Sequence, residues 1–159
     1  MKRYEALKHA VKAHAGQVDK CGQPYILHPI AVAEALEVSA EWIISPDRDN
    51  AAVVALLHDV WEDTDYDLPI GDLHYEQVEA LQLLTRQTDE TFADYIAALA
   101  DSPFAATVKL ADLWHNLQPE RLMCLPSAEA LSLSRRYWKA RDRIWEALGY
   151  EWWPEGGEG

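Results

Sequence analysis

Apolar positions recur at helical spacing along almost the whole chain, as in Tyr4, Leu7 and Val11 near the start and Leu131, Tyr137, Trp138, Ile144, Trp145 and Leu148 near the end. Strand-like alternation is nearly absent. The pattern predicts helices at about 2–15, 29–38, 50–61, 75–85, 91–100, 103–117 and 127–148, which is an all-α fold packed as a compact bundle of about seven helices. Asn50, Ser102 (followed by Pro103) and Ser127 are the expected N-caps of the helices they precede. Gly22, Pro24 and Pro29 punctuate residues 16–29, which read as a structured loop, and Asp65 to Asp72 read as another.

One helix breaks the separation of apolar from charged. The run Ala51-Ala-Val-Val-Ala-Leu-Leu leads directly into His58-Asp59, and Glu62 and Asp63 follow four residues later on the same side. Burying a carboxylate after such a run costs several kcal/mol unless it is paired or coordinates a cation. The acidic neighbours only add negative charge, and a divalent ion resolves the conflict. A second apolar stretch, Thr107 to Leu117, places Lys109, Asp112 and Asn116 at i, i+3 and i+7 along one stripe.

These residues belong to ordered blocks. His14-Ala-Gly-Gln17, Gly22-Gln-Pro-Tyr-Ile-Leu-His-Pro29, Leu56-Leu-His-Asp-Val-Trp-Glu-Asp-Thr64, Leu84-Thr85 and Val108-Lys-Leu-Ala-Asp-Leu-Trp-His-Asn-Leu117 span roughly residues 4 to 148 with the last helix. In that order and spacing the chain resembles the HD superfamily of metal-dependent phosphohydrolases, in particular the hydrolase domain of RelA/SpoT-type enzymes and the stand-alone small alarmone hydrolases. The resemblance implies an HD-domain helical bundle. It implies that His28, His58, Asp59 and Asp112 bind one divalent ion, manganese before others, while Glu62 and Asp63 handle the attacking water and its proton. It further implies that Lys109, Asn116 and Tyr137 contact substrate ribose or phosphate, and that His14 supports the site without ligating; Lys20 joins the expected substrate-binding residues as a local cation.

The implied reaction is removal of the 3′-pyrophosphate from a guanosine or adenosine alarmone. Two rival readings are hydrolysis of another (deoxy)nucleotide and a non-catalytic nucleotide-sensing module. Two imidazoles and two carboxylates suit a first-row divalent ion, and the absence of thiolates argues against a structural zinc. The chain departs from the family pattern in Val18-Asp19-Lys20. Asp19 stands where the resemblance implies an arginine stacked on the purine, and a carboxylate offers no guanidinium plane. Base selection is therefore expected to be weak or shifted.

With 159 residues, 49% of them apolar, the chain has material for one domain over 1–150, followed by a loose tail at 151–159. A net charge of −13 argues against nucleic acid as a partner, because tracking phosphates needs clustered Lys and Arg. An anionic nucleotide would depend on the metal and local cations such as Lys20, Lys109, Arg135, Arg136, Arg141 and Arg143. Cys21 and Cys124 lack metal-motif spacing and are expected to stay free thiols in a reducing cytoplasm. No apolar leader or 18-residue apolar stretch suggests export or a membrane span. Trp152 and Trp153 either fold back on the domain or meet a partner subunit in a homo-oligomer.

Overall fold

The computed structural model describes residues 1–38 and 48–149. Its helices are α1 (Arg3–Ala13), α2 (Leu27–Val38), α3 (Arg48–Leu57), α4 (Val60–Asp63), α5 (Tyr75–Leu84), α6 (Phe92–Ala100), α7 (Pro103–Asn116), α8 (Pro119–Leu122) and α9 (Ser127–Ala147). A 3₁₀ turn spans Ile70–Asp72, and among the described residues the only β pairing is an isolated bridge between Val18 and Pro24. The all-helical expectation holds. The tail, Trp152 and Trp153 lie outside the described residues.

α3 is the axis of the bundle. Every residue from Ala51 to Leu57 is buried, so the helix has no solvent face and must be surrounded. It packs against α1, α2, α5 and α7, while α7 also touches α2, α6 and α9. Small residues let the helices approach closely, among them Ala6, Ala10, Ala51, Ala55, Ala105 and Ala106, none of which exposes any surface. Leu57, Leu81, Ile96, Leu99, Leu113 and Ile144 fill the remaining space. Truncating one such side chain to alanine costs about 2–5 kcal/mol.

Two expected caps are corrected. α3 is already helical at Arg48, which places Asn50 inside its first turn, where its Oδ1 accepts a 2.7 Å hydrogen bond from Gln77 Nε2. The fully buried Gln77 is thereby satisfied, with Oε1 accepting from the His74 backbone at 2.9 Å. Ser127 is the first residue of α9, and Pro126 occupies the cap position. Ser102 does cap α7, its Oγ accepting from the Ala105 N–H at 3.5 Å.

Candidate metal centre and substrate cleft

The helix expected without interruption over 50–61 breaks at His58 and Asp59. α3 ends at Leu57, helix resumes at Val60, and Asp59 sits between at φ −96°, ψ −4°. Neighbours on an unbroken helix diverge by about 100°. The break lets His58 and Asp59 reach one point. His58 Nδ1 lies 2.7 Å from the Ala55 carbonyl oxygen, so Nδ1–H donates there and Nε2 is the nitrogen available to ligate once its proton is displaced. α2 contributes His28 at its second position, and α7 contributes Asp112 from its buried face.

Four atoms then close a ring of alternating nitrogen and oxygen. His58 Nε2 is 3.1 Å from Asp59 Oδ2, which is 3.4 Å from His28 Nε2; that nitrogen is 3.1 Å from Asp112 Oδ1, which is 3.7 Å from His58 Nε2. Donors about 2.1 Å from one ion stand about 3.0 Å apart at a right angle and about 3.4 Å apart at the tetrahedral angle. The ring has the spacing of ligands around a single small cation. Buried His58 Nε2 meets hydrogen-bond geometry with none of the described residues, despite two carboxylates nearby. His28, His58 and Asp112 all lie within mutual ligating reach, and Asp59 joins them through its contacts to both imidazoles.

The charges in the ring depend on one another. Burial alone would strip the proton from His58, but Asp59 and Asp112 outweigh it and raise the imidazole to about 10. His28 is opposed by burial and raised by the same carboxylates. Burial resists ionisation of Asp59, which its two imidazoles nevertheless hold well below the usual carboxylate range. For Asp112 the Lys109 ammonium adds to that effect at 2.7 Å.

A supporting set surrounds the ring. Tyr25 Oη donates to Asp59 Oδ2 at 2.7 Å, and Asn116 Nδ2 donates to Asp112 Oδ1 at 2.5 Å. His28 Nδ1 lies 2.7 Å from His115 Nδ1. Burial and the charge of His28 hold His115 down at about 4, so it is neutral and accepts the His28 Nδ1–H. A ligating histidine characteristically donates its other N–H in this way, which fixes its tautomer. Sequence reasoning missed Tyr25 and His115 in these roles. His115 follows Asp112 by three helical positions, a signal that could have singled it out. His14 is buried behind the site, bonded through Nδ1 to Gln17 Oε1 at 2.7 Å and with its ring 4.9 Å from Tyr25.

Glu62 and Asp63, on α4, lie beside the ring with solvent on one side and the protein surface on the other. Partial burial raises both carboxyls, with the negative charge of Asp59 adding to the effect. Glu62 Oε2 accepts the Arg86 N–H at 3.3 Å.

A cleft of about 320 Å³ opens beside the ring, with Tyr25 and Asn116 on its wall. Lys20, Asn116 and Tyr137 all line it, although Lys20 also pairs with Glu129 at 2.5 Å. Lys109 instead sits behind Asp112, with its ammonium 5.3 Å from the centre of the Tyr95 ring. A larger depression of about 740 Å³ near Met1, Tyr4 and His74 shares no residue with the ring, and we assign it no chemistry.

One expectation at the cleft wall is corrected. Cys21 and Cys124 are not free thiols but a disulfide, with Cα atoms 5.2 Å apart across a separation of 103 residues. Their approach follows from two ion pairs between the same segments, Asp19 with Arg121 at 3.2 Å and Lys20 with Glu129 at 2.5 Å. Asp19 is tied down at both oxygens. Oδ1 accepts from the Cys21 and Gln23 N–H groups at 2.9 Å each, while Oδ2 pairs with Arg121.

An all-helical bundle in which a helix break delivers a His-Asp pair to a histidine and an aspartate from two other helices is an HD-type domain. Comparison with known proteins gives its relatives. The chain is 34% identical over 129 residues to the probable GTP pyrophosphokinase of Mycobacterium leprae, covering 74% of this chain and 16% of that one. It is 34% identical over 120 residues to the guanosine-3′,5′-bis(diphosphate) 3′-pyrophosphohydrolase of Haemophilus influenzae, covering 67% and 17%. A solved metazoan orthologue of SpoT, described as hydrolysing ppGpp, superposes with a TM-score of 0.61 at 25% identity, covering 93% of this chain and 96% of that one. No family model matches the chain. The chain is an HD-type domain whose relatives are RelA/SpoT proteins, and it spans about one sixth of the length of the curated relatives named here.

Proposed function

We propose that this domain is a metal-dependent hydrolase that removes the 3′-pyrophosphate from a guanosine or adenosine alarmone, with manganese as its ion. The observation that carries the reading is the nitrogen–oxygen ring of His28, Asp59, His58 and Asp112 beside a cleft, with Glu62 and Asp63 next to it. The hydrolase names of two relatives support the substrate class. Action in the cytoplasm accords with such a substrate, and among the described residues no helix is long and apolar enough to cross a membrane.

Held by these four residues, a divalent ion would supply Lewis-acid charge at the phosphoryl group and lower the pKa of water there. The chain supplies the rest. Glu62 and Asp63, raised by burial, can take a proton from the attacking water and return one to the leaving 3′ oxygen. Water oxygen bonds to the phosphorus attached at the 3′ position, the bond from that phosphorus to the 3′ oxygen breaks, and pyrophosphate departs from a 3′-hydroxyl. Tyr25, His115 and Lys109 hold the ring side chains in place. Asn116, Tyr137 and Lys20 face the nucleotide in the cleft.

The test is a manganese-supplemented screen against guanosine and adenosine 3′-pyrophosphates, nucleoside triphosphates and deoxynucleotides, with released pyrophosphate and orthophosphate measured separately. Pyrophosphate from the 3′-substituted nucleotides alone is the expected result. Turnover confined to the other nucleotides would replace the substrate, and binding without turnover would make the domain a sensor.

A further inference from the structure

Arg121 occupies a distinctive place in the cleft. Its guanidinium is held through one nitrogen, Nη1, to Asp19 Oδ2 at 3.2 Å, so four of its five N–H donors remain for a ligand. The partner carboxylate is itself immobilised by the Cys21 and Gln23 backbone N–H groups. The Cys21–Cys124 disulfide joins the loop carrying Asp19 to the turn that follows Arg121. An ion pair anchored in this way presents a fixed plane, whereas a lone surface arginine samples many rotamers.

The surroundings identify what the plane would meet. The cleft that Arg121 lines is also lined by Val18, Leu122, Leu125 and Leu133 and by the cations Lys20 and Arg136, while Tyr25 and Asn116 on its wall bond to ring carboxylates. Phosphate belongs at the ring, and the apolar side chains of the lining suit a flat, weakly polar group. An aromatic heterocycle with acceptor atoms on its edge satisfies both the guanidinium face and its free N–H groups.

We infer that Arg121, positioned by Asp19, is the base-contacting and specificity-determining residue of this cleft, and that its ligand is the purine of the nucleotide. The inference rests on the nucleotide reading above and supplies a recognition element that Asp19 cannot. It also makes Asp19 a positioning residue, not a vacancy in base recognition.

The test measures equilibrium binding to the full chain, manganese-loaded and carrying Glu62→Gln to slow turnover. Two probes are compared: guanosine 5′-diphosphate 3′-diphosphate and inorganic pyrophosphate, which lacks a base. Arg121→Lys keeps the charge opposite Asp19 and removes the plane. It should weaken the nucleotide about tenfold, leave pyrophosphate unchanged and preserve the melting temperature. Asp19→Asn, which loosens the anchor, should show a smaller loss with the same selectivity. Equal loss of both probes in Arg121→Lys, no loss of either, or no nucleotide binding before the substitution overturns the inference. A parallel turnover assay without Glu62→Gln separates the two claims. Arg121-dependent binding with no pyrophosphate release keeps the inference and removes the hydrolase reading. Pyrophosphate release with an unaltered KM in Arg121→Lys does the reverse.

Discussion

Protons and metal compete for the same nitrogens, so manganese binding should be steeply pH-dependent. In the metal-free protein the neighbouring carboxylates raise His58 to about 10 against its burial. A group titrating near 10 is about 99.9% protonated at pH 7, and a ligand nitrogen must be bare. Each proton displaced makes apparent affinity rise about tenfold per pH unit. Displacement from His58 alone gives about a hundredfold tighter binding at pH 8 than at pH 6, and His28, also raised, steepens the dependence if it releases a second proton. Calorimetric titration with Mn²⁺ at pH 6, 7 and 8, in two buffers of different ionisation enthalpy, reads both affinity and proton release. Between one and two protons should appear at pH 7. A flat dissociation constant with no buffer dependence would refute the reasoning, because the imidazoles would then be neutral before metal arrives. The stability of the metal-free protein has a definite sign. His58 has a folded value above its ordinary 6.5, so its contribution is full below 6.5 and is lost as pH rises toward about 10. Asp59 and Asp112 lie below 3.8 in the fold, so theirs is present above that value and is lost as pH falls through their depressed folded range.

Glu62→Gln and Asp63→Asn should each cut turnover by about 10²- to 10⁴-fold while manganese stays bound at wild-type stoichiometry, and near-normal rates in both would remove the pair from the mechanism. His115→Ala should weaken manganese about 10- to 100-fold by releasing the His28 ring from its acceptor; unchanged metal affinity would show that the 2.7 Å contact does not control the ligand. Cys21→Ser, or reduction of the wild type, opens a closure spanning 103 residues, and the chain-entropy model gives a loss of up to about 4–5 kcal/mol, or about 10 °C in melting temperature. Identical melting with and without reductant would show that the disulfide does not constrain the chain.

The helices were legible because their apolar spacing is regular, and the expected segments at 75–85, 91–100 and 103–117 match α5, α6 and α7 within a residue at each end. Less legible were features set by contacts distant in sequence. The break after Leu57 interrupts an apolar run that would extend a helix without difficulty, and it exists where His58 and Asp59 turn toward residues from α2 and α7. Asn50 has the chemistry of a cap, yet buried Gln77 claims its oxygen from 27 residues away. α8 is a single turn beginning at Pro119, too short to leave a periodic signal.

The site divides in the same way. His28, His58, Asp59 and Asp112 could be named from ordered blocks because each lies in a local pattern of its own, and the fold brings them into one ring. Asp19 is the counterexample. Read by position, a carboxylate in place of an arginine looks like the loss of a base contact, since alignment compares places in the chain. In space that carboxylate faces Arg121, 102 positions later, and draws a guanidinium onto the wall of the same cleft. A guanidinium absent from one wall and supplied from the other keeps one arginine at the cleft, although paired with Asp19 it adds no net charge, and it changes the direction from which a flat ligand can be approached. Base preference in this chain should therefore follow the angle of the Arg121 plane, so substituting arginine at position 19 would not simply restore the family arrangement: it would remove the acceptor that holds the Cys21 and Gln23 N–H groups and set two guanidinium groups against each other.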